Sequence, residues 1–196
     1  MTKTLLEARN WRIASDGQRL EQKKFGLILL PSHATMLAHE WPLWRRWYAP
    51  VSVRGKDVLD VGAGCGETAY FYFKRGARKV ICVEPDRAAI ECLTENAARH
   101  SWNVEIAHEA FRLDMLREYR FDFMKMDGEG CEKELLQLNK LPTRAVVESH
   151  SPQLTDELTR QLGARVVAEL LQGASLLHIT GDEAESNRKS GLPVGI

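Results

Sequence analysis

The chain has 196 residues, of which 44% are hydrophobic and 28% are charged, a composition typical of one folded domain rather than of a disordered protein. Its 27 lysines and arginines balance 27 aspartates and glutamates, so overall charge gives no support to nucleic-acid binding. No apolar stretch approaches the roughly 20 residues that cross a membrane, and the first residues lack a secretion signal, so we expect a cytoplasmic protein without membrane contact.

Residues 1–56 are predicted to form a basic, tryptophan-rich helical extension. They hold ten basic and four acidic residues, a net charge of +6 that the remaining residues offset with −6. Asp16 and Gly17 indicate a turn, and residues 25–30 suit either a strand or a buried helical turn. The basic excess is ordinarily a solvated surface, but it leaves RNA open as a partner.

The last part of this extension, residues 33–48, is predicted to be helical. Trp41, Trp44 and Trp47 recur at a spacing of three, which places them on one helical face. This face either packs against the rest of the domain or uses Trp41 and Trp44 to bind a substrate, as a lid over a cofactor or as a platform for a nucleobase.

From residue 57 onward, short apolar runs alternate with helical segments. Strands are predicted at residues 57–62, 79–85, 103–107, 120–127 and 144–149. Helices are predicted at residues 66–76, 86–100, 131–139 and 152–163. Such alternation indicates βαβ units and a parallel sheet covered by helices.

The end of the chain breaks this alternation. Two apolar runs within residues 165–180 are joined only around Gly173, and so short a connection can make only an antiparallel hairpin. We therefore predict an α/β fold in which a mostly parallel sheet, in a domain of residues 57–181, finishes with a C-terminal antiparallel hairpin. The polar residues 182–196 are expected to form a frayed tail.

A glycine-rich turn joins the first strand and first helix of this domain, with glycines at positions 62, 64 and 66. Glycines let the backbone turn tightly and approach a ligand, while the helix N-terminus adds free N–H groups. A dinucleotide-binding motif needs a third glycine at position 67, where Glu67 stands and would repel a pyrophosphate. Asp60 followed by Gly-x-Gly-x-Gly instead favours S-adenosylmethionine, whose cationic methionine end Asp60 can approach.

Carboxylates after the next two strands extend this prediction. Glu84 ends the second strand, 18 residues after Gly66, where it can accept hydrogen bonds from ribose hydroxyls. Glu109 follows the third strand and could accept a hydrogen bond from the adenine amino group. In the alternative interpretation, Asp60 and Glu84 merely cap strand ends. The predicted cofactor-binding residues are Asp60, Gly62, Ala63, Gly64, Cys65, Gly66, Glu84, Pro85, Glu109, Ala110 and Asp127.

Two segments, residues 60–86 and 121–136, resemble the class I S-adenosylmethionine-dependent methyltransferases, and within them the FkbM-type enzymes. The second segment fits the pattern K-[IM]-D-x-E-G-x-E from Lys125 to Glu132. The resemblance implies a three-layer, Rossmann-like fold with a seven-stranded sheet. It also implies S-adenosyl-L-methionine as cofactor and methyl transfer to an oxygen of a small molecule or glycan-like acceptor.

Candidate catalytic residues follow the fourth and fifth strands, since ligands of open α/β sheets bind at the carboxyl ends of strands. Asp127 and Glu129 are predicted to orient the acceptor and take its proton, and Glu148 and His150 to bind substrate. Alternatively, Glu129 caps a helix or pairs with Lys133, and His150 is structural. Asp127, Glu148 and His150 could hold a divalent metal, but we predict none.

Two other functions stay open at this point. The basic extension is compatible with an RNA methyltransferase, for which binding would weaken steeply with salt. A protein that binds S-adenosylmethionine without turnover would carry the same glycine-rich turn.

Overall fold

The computed structural model describes residues 10–170 and 173–181. The predicted tail at residues 182–196 lies outside these ranges, as do residues 1–9. The main sheet has seven strands, in the order β6-β5-β4-β7-β8-β10-β9. Its strands are β4 (Asp57–Val61), β5 (Lys79–Val83), β6 (Val104–Ala107), β7 (Phe123–Met126), β8 (Ala145–Ser149), β9 (Arg165–Glu169) and β10 (Ser175–Ile179).

The first five strands of this sheet pair in parallel, and β10 runs antiparallel to both β8 and β9. The predicted parallel sheet with a C-terminal hairpin is therefore confirmed. Strands β4, β5, β7 and most of β8 are buried, as expected of central strands covered by helices on both faces.

The N-terminal extension differs from the prediction of a helical segment, because it also contains a three-stranded antiparallel sheet in the order β1-β2-β3. These strands are β1 (Trp11–Ile13), β2 (Leu20–Gln22) and β3 (Leu27–Leu29). The predicted turn at residues 16–17 joins the first two, with the Asp16 carboxylate accepting hydrogen bonds from the backbone of Gln18 and Arg19. Each strand has only three residues, too few for a periodic pattern to identify.

The helices that flank the sheets begin and end close to their predicted positions. They are α1 (Pro31–Trp47), α2 (Glu67–Lys74), α3 (Arg87–His100) and α5 (Pro152–Leu162), and a further short helix, α4 (Met115–Glu118), lies between β6 and β7. Asp86 caps α3 by accepting hydrogen bonds from the backbone of Ala88 and Ala89. The segment Cys131–Gln137, predicted as a helix, is a 3₁₀ helix, and the short α4 was not predicted.

The N-terminal extension packs on the main sheet through one buried polar side chain and a broad aromatic face. Asn96 of α3 exchanges hydrogen bonds with the backbone N–H and C=O of Ile28, and its amide also donates to the Cys65 carbonyl. Trp44 and Trp47 of α1 are buried, and Trp41 packs beside them against Phe25 and Phe71. The tryptophan face therefore forms core.

A helix that crosses a lipid bilayer must be both long and apolar. None of the described helices combines the length and the apolar character needed to cross one.

Candidate active site

A cavity of about 280 Å³ opens at the carboxyl ends of β4, β5 and β7, the edge at which open α/β sheets bind ligands. The glycine-rich turn after β4 forms its floor, and the loops after β5 and β7 form two walls. Helix α1 and the residue that follows it close the cavity from above with four side chains. These are His33, Met36, Trp44 and Tyr48.

The floor of the cavity needs glycine at position 62. Gly62 has a φ of 69°, and a Cβ atom there would lie 1.8 Å from the Asp127 carbonyl oxygen. No side chain fits between these two loops, so the backbone after β4 contacts the backbone after β7 directly. The turn is held on its other side by Glu84, which accepts hydrogen bonds from the backbone N–H groups of Gly64 and Asp86, both at 2.9 Å.

Beneath the floor lies a buried ion pair between Asp60 and Lys125. The Lys125 Nζ is 3.3 Å from the Asp60 Oδ1 and donates to the Gly62 carbonyl at 2.7 Å. The Thr68 hydroxyl donates to the other Asp60 oxygen at 2.6 Å. Burial raises the pKa of Asp60 to about 6 in spite of these partners. Burial by itself would lower the pKa of Lys125, but the charges of Asp60 and Asp127 outweigh it and raise that pKa.

A second group of charged side chains lies beside the cavity, where β7 and β8 end. The His150 Nε2 is 3.5 Å from Asp127 Oδ1 and 3.7 Å from Glu148 Oε1, and its Nδ1 is 3.2 Å from Glu132 Oε1. The nearby Glu132 carboxylate raises the pKa of His150 to about 9. Burial, and then the charge of Asp127, raise the pKa of Glu148 to about 7. We call Asp127, Glu148 and His150 the acidic cluster.

Helix α1 contributes two further groups to this corner. The Tyr48 hydroxyl donates to Glu148 Oε2 at 3.4 Å, and the Trp44 indole donates to Glu40 Oε2 at 3.4 Å. Burial raises the pKa of Glu40, and the nearby charge of Asp127 adds to the effect. Among the described residues, carboxylates in this corner outnumber cations, since Asp60, Asp127, Glu132 and Glu148 face Lys125 and His150.

The structure brings many of the predicted site residues to the cavity. Its lining includes Gly62, Ala63, Gly64, Glu84, Pro85, Ala110, Asp127, Glu129 and Trp44. Glu129 reaches it from an exposed loop position with a φ of 54°. Glu148 and His150 do not line the cavity themselves but meet Asp127 beside it.

Besides Glu148 and His150, five other predicted residues lie away from the lining. Asp60 is fully buried under the floor, Cys65 and Gly66 face the core side of the turn, Glu109 is exposed and pairs with Arg112, and Trp41 belongs to the aromatic core. The Glu129 side chain does not cap the 3₁₀ helix Cys131–Gln137. The carboxylate that binds the backbone there belongs to Glu132, which accepts a hydrogen bond from the Gly128 N–H at 3.0 Å.

Sequence reasoning missed three charged groups at the site. Lys125 carried a usable signal, because it interrupts the apolar strand β7 and a buried lysine needs acidic partners. Glu67 was noticed only as an obstacle to pyrophosphate, although it lines the cavity. His33 gave no signal, because its place depends on how α1 packs over the turn.

The geometry suits a nucleoside that carries a positive charge. Glu84 offers carboxylate oxygens where ribose hydroxyls would bind, the glycine floor admits close approach, and the excess of carboxylates favours a cation over a phosphate. S-adenosylmethionine has a ribose, a sulfonium and an ammonium group, and no phosphate.

Comparisons with known proteins agree with this chemistry. Residues 58–133 match the family model of the "Methyltransferase domain". The chain is 35% identical over 95 residues to a ribosomal protein L11 methyltransferase of Dictyoglomus thermophilum, covering 48% of this chain and 30% of that protein. It is 41% identical over 54 residues to the electron transfer flavoprotein beta subunit lysine methyltransferase of Mus musculus, covering 28% of this chain and 21% of that one. The chain thus spans less than a third of the length of either relative.

Solved structures share the fold. A T. Thermophilus 16S rRNA methyltransferase, solved with AdoMet and guanosine, superposes with a TM-score of 0.53 at 21% identity, over 77% of this chain and 43% of that one. The general methyltransferase match and the names of these relatives leave the narrower FkbM-type resemblance unconfirmed. The match over residues 58–133 makes this part of the chain similar to S-adenosylmethionine-dependent methyltransferases, and the strand order is that of their class I, Rossmann-like fold.

Proposed function

We propose that the protein transfers a methyl group from S-adenosylmethionine to an amine nitrogen of a protein side chain. The observation that carries this proposal is the acidic cluster beside the cofactor cavity, with Glu40 and Glu132 nearby. An excess of carboxylates attracts an alkylammonium group and repels the phosphates of a nucleic acid. The names of the two relatives, a ribosomal protein methyltransferase and a lysine methyltransferase, support a protein acceptor.

The chain's own residues account for the proton that an amine must lose before it can be methylated. S-adenosylmethionine, when bound, supplies an electrophilic methyl group on sulfur. Burial beside the cavity lowers the pKa of an amine, which favours release of its proton. Glu148, with a pKa of about 7, accepts that proton, while Asp127 and Tyr48 orient the nitrogen lone pair toward the methyl carbon. The new C–N bond forms as the C–S bond breaks.

The buried pair under the floor has a positioning role in this proposal. Lys125 binds the carbonyl groups of Val61 and Gly62, so Asp60 acts on the cavity by holding Lys125 and not by touching the cofactor. In this proposal, Asp60 acts on the cofactor indirectly, through Lys125, instead of contacting its methionine end as the sequence predicts.

Labelled methyl transfer tests this function. The purified protein and S-adenosylmethionine labelled in the methyl group are added to a cell extract that is then divided into protein, RNA and small-molecule fractions. We expect label in protein, recovered as methylated amine after hydrolysis. Asp127→Asn should lower turnover more than cofactor affinity. Label confined to RNA or to small molecules would contradict the amine acceptor.

A second candidate, an RNA methyltransferase, keeps one specific observation in its favour. Arg45 and Arg46 are exposed near the end of α1, and within the described residues no ion pair engages them. The oxygen-directed, small-molecule acceptor expected from the sequence resemblance finds no counterpart in the names of the two relatives.

Metal dependence separates two versions of the chemistry. One oxygen or nitrogen atom from each member of the acidic cluster lies within 4.8 Å of the others, a spacing that could hold a cation. If Glu148 accepts the proton directly, EDTA leaves turnover unchanged. Loss of turnover in EDTA that added Mn²⁺ or Mg²⁺ restores would instead assign the cluster to a metal.

A further inference from the structure

Glu67 is a buried carboxylate with one oxygen that nothing in the described chain satisfies. It is the first residue of α2, its side chain is 2% exposed, and it lines the cofactor cavity. Its Oε1 lies 2.6 Å from the His33 Nδ1. Its Oε2 is buried and has no hydrogen-bond partner among the described residues. An orphaned buried carboxylate oxygen is uncommon and marks a place where a donor is expected.

The position of the Glu67 side chain is fixed by His33. His33 lies over the glycine-rich turn so closely that a Cβ on Gly64 would be 2.6 Å from the His33 Cε1. Burial lowers the pKa of His33, but the hydrogen bond and charge of Glu67 outweigh it and raise that pKa. His33 therefore keeps Oε1 occupied, and a ligand in the cavity is what remains to satisfy Oε2.

Glu67 and Glu84 both lie next to Gly64. The Gly64 N–H donates to Glu84, and the Cβ direction of the same residue points to within 3.3 Å of the Glu67 Oε1. A ligand whose ribose is bound at Glu84 therefore has its remaining part close to Glu67. In S-adenosylmethionine that part carries an ammonium group, a cation with three N–H donors.

The ammonium has no better partner on the floor of the cavity. Asp60, the carboxylate predicted for it, is fully buried and already engaged by Lys125 and Thr68. We propose that Glu67, held in place by His33, binds the α-ammonium group at the methionine end of the cofactor. The inference rests on the proposed use of S-adenosylmethionine and adds the residue that selects its charged tail.

Two ligands that differ only at this tail test the assignment. S-adenosylhomocysteine carries the ammonium group, whereas 5′-methylthioadenosine keeps the nucleoside and sulfur but lacks the amino acid. Calorimetric titration of Glu67→Gln should show S-adenosylhomocysteine binding weakened by roughly 10- to 100-fold, the loss expected for a charged hydrogen bond. Binding of 5′-methylthioadenosine should change less than about twofold. Glu91→Gln, an exposed glutamate of α3 paired with Arg87, serves as the matched control and should change neither.

The remaining outcomes decide against the proposal in different ways. If Glu67→Gln lowers the affinity for both ligands equally, Glu67 has a structural role. If the affinity for both ligands is unchanged, the ammonium group binds elsewhere. If Glu67→Gln unfolds, His33→Gln provides the second variant, with the same selective loss expected. Wild-type protein that binds neither ligand would overturn the proposed cofactor as well. His33, Cys65 and Glu67 also lie within 4.8 Å of one another, so S-adenosylhomocysteine affinity that depends on added Zn²⁺ would reassign Glu67 to a metal.

Discussion

The carboxylates around the cavity differ in protonation because their surroundings differ. Glu132 is buried, yet the nearby His150 and the hydrogen bond from the Gly128 N–H outweigh the burial and lower its pKa. Glu148 lacks comparable donors, and burial beside Asp127 raises its pKa to about 7. One carboxylate in this corner is thus a permanent anion and the other can exchange a proton near neutral pH.

The pH dependence of turnover follows from Glu148. A proton acceptor must be ionised, so turnover at saturating substrate should rise as the pH increases through about 7. His150 keeps its proton up to a pH of about 9 and does not titrate in this range. Glu148→Gln should remove the rise near neutrality and lower turnover by roughly 10²- to 10⁴-fold. A rise that persists in this variant would assign the titration to another group.

Glu84 makes a separate prediction about cofactor binding. Replacing it with glutamine removes the charge that faces the ribose position and one acceptor for the backbone of Gly64 or Asp86. We expect affinity for S-adenosylhomocysteine to fall by about 1 to 3 kcal/mol, measured by calorimetry with folding checked by circular dichroism. In contrast to Glu67→Gln, this variant should weaken 5′-methylthioadenosine as well. Intact binding in a folded variant would refute the ribose contact.

Several features of the site were predictable, because the ends of parallel strands meet at one edge of a sheet. That rule alone brought Asp127, Glu148 and His150 together. It could not show that Asp60 points beneath the floor, since Asp60 and Lys125 face each other only through the register of β4 and β7.

At the level of elements, α1 both closes the cavity and completes the core. Trp44 is 1% exposed, and its ring packs edge-on against Phe71 and Tyr48. The same helix provides His33 above the glycine-rich turn. Closure of the cavity and packing of the N-terminal extension are therefore properties of one element.

Truncation of the buried tryptophan should destabilise the whole fold. Trp44→Ala leaves a large void under α1, and we expect a loss of about 3 to 5 kcal/mol in the free energy of unfolding, measured by urea denaturation. The neighbouring Leu43, which is 43% exposed, provides the control, and Leu43→Ala should cost less than about 1 kcal/mol. Equal losses in the two variants would contradict the packing described for this helix.

The fold was predictable where a pattern extended over several residues or a connection was short. The Gly173 join excluded any pairing of β9 and β10 except antiparallel, and the apolar strands β4, β5 and β7 identified the sheet. The three-stranded sheet before α1 could not be predicted from the sequence, because its strands depend on pairing with each other and on contact with α3. Residues 131–137 have helical composition, but Gly130 with a φ of 105° leads into a tighter 3₁₀ turn.

For the whole molecule, overall neutrality hides an uneven distribution of charge. Cationic side chains such as Arg45 and Arg46 lie on the surface of the N-terminal extension, whereas carboxylates gather inside the cleft. A protein acceptor would present its amine to the cleft, and an RNA acceptor would need the surface cations for its phosphates.

Salt separates these two acceptors. The KM for a protein acceptor should rise less than about tenfold between roughly 50 and 200 mM salt, because few ion pairs need to form. An RNA bound through several phosphates would lose about 10³-fold or more in affinity over the same range. The double variant Arg45→Ala, Arg46→Ala should leave the KM for a protein acceptor nearly unchanged. If the KM instead depends steeply on salt in the wild type and loses that dependence in the double variant, the result favours an RNA acceptor.

The three hydrogen bonds of Asn96 couple local opening of the N-terminal extension to the state of the glycine-rich turn. One side-chain amide holds both the backbone of Ile28 in β3 and the Cys65 carbonyl in the glycine-rich turn. Local opening of β3 removes the Ile28 partners that orient Asn96, and so loosens the amide that holds the Cys65 carbonyl. A ligand that binds only the closed turn therefore suppresses that opening. Amide hydrogen exchange at Ile28 should therefore slow when S-adenosylhomocysteine binds, although Ile28 does not line the cavity. Exchange in a strand outside the main sheet would then report whether the cavity is occupied.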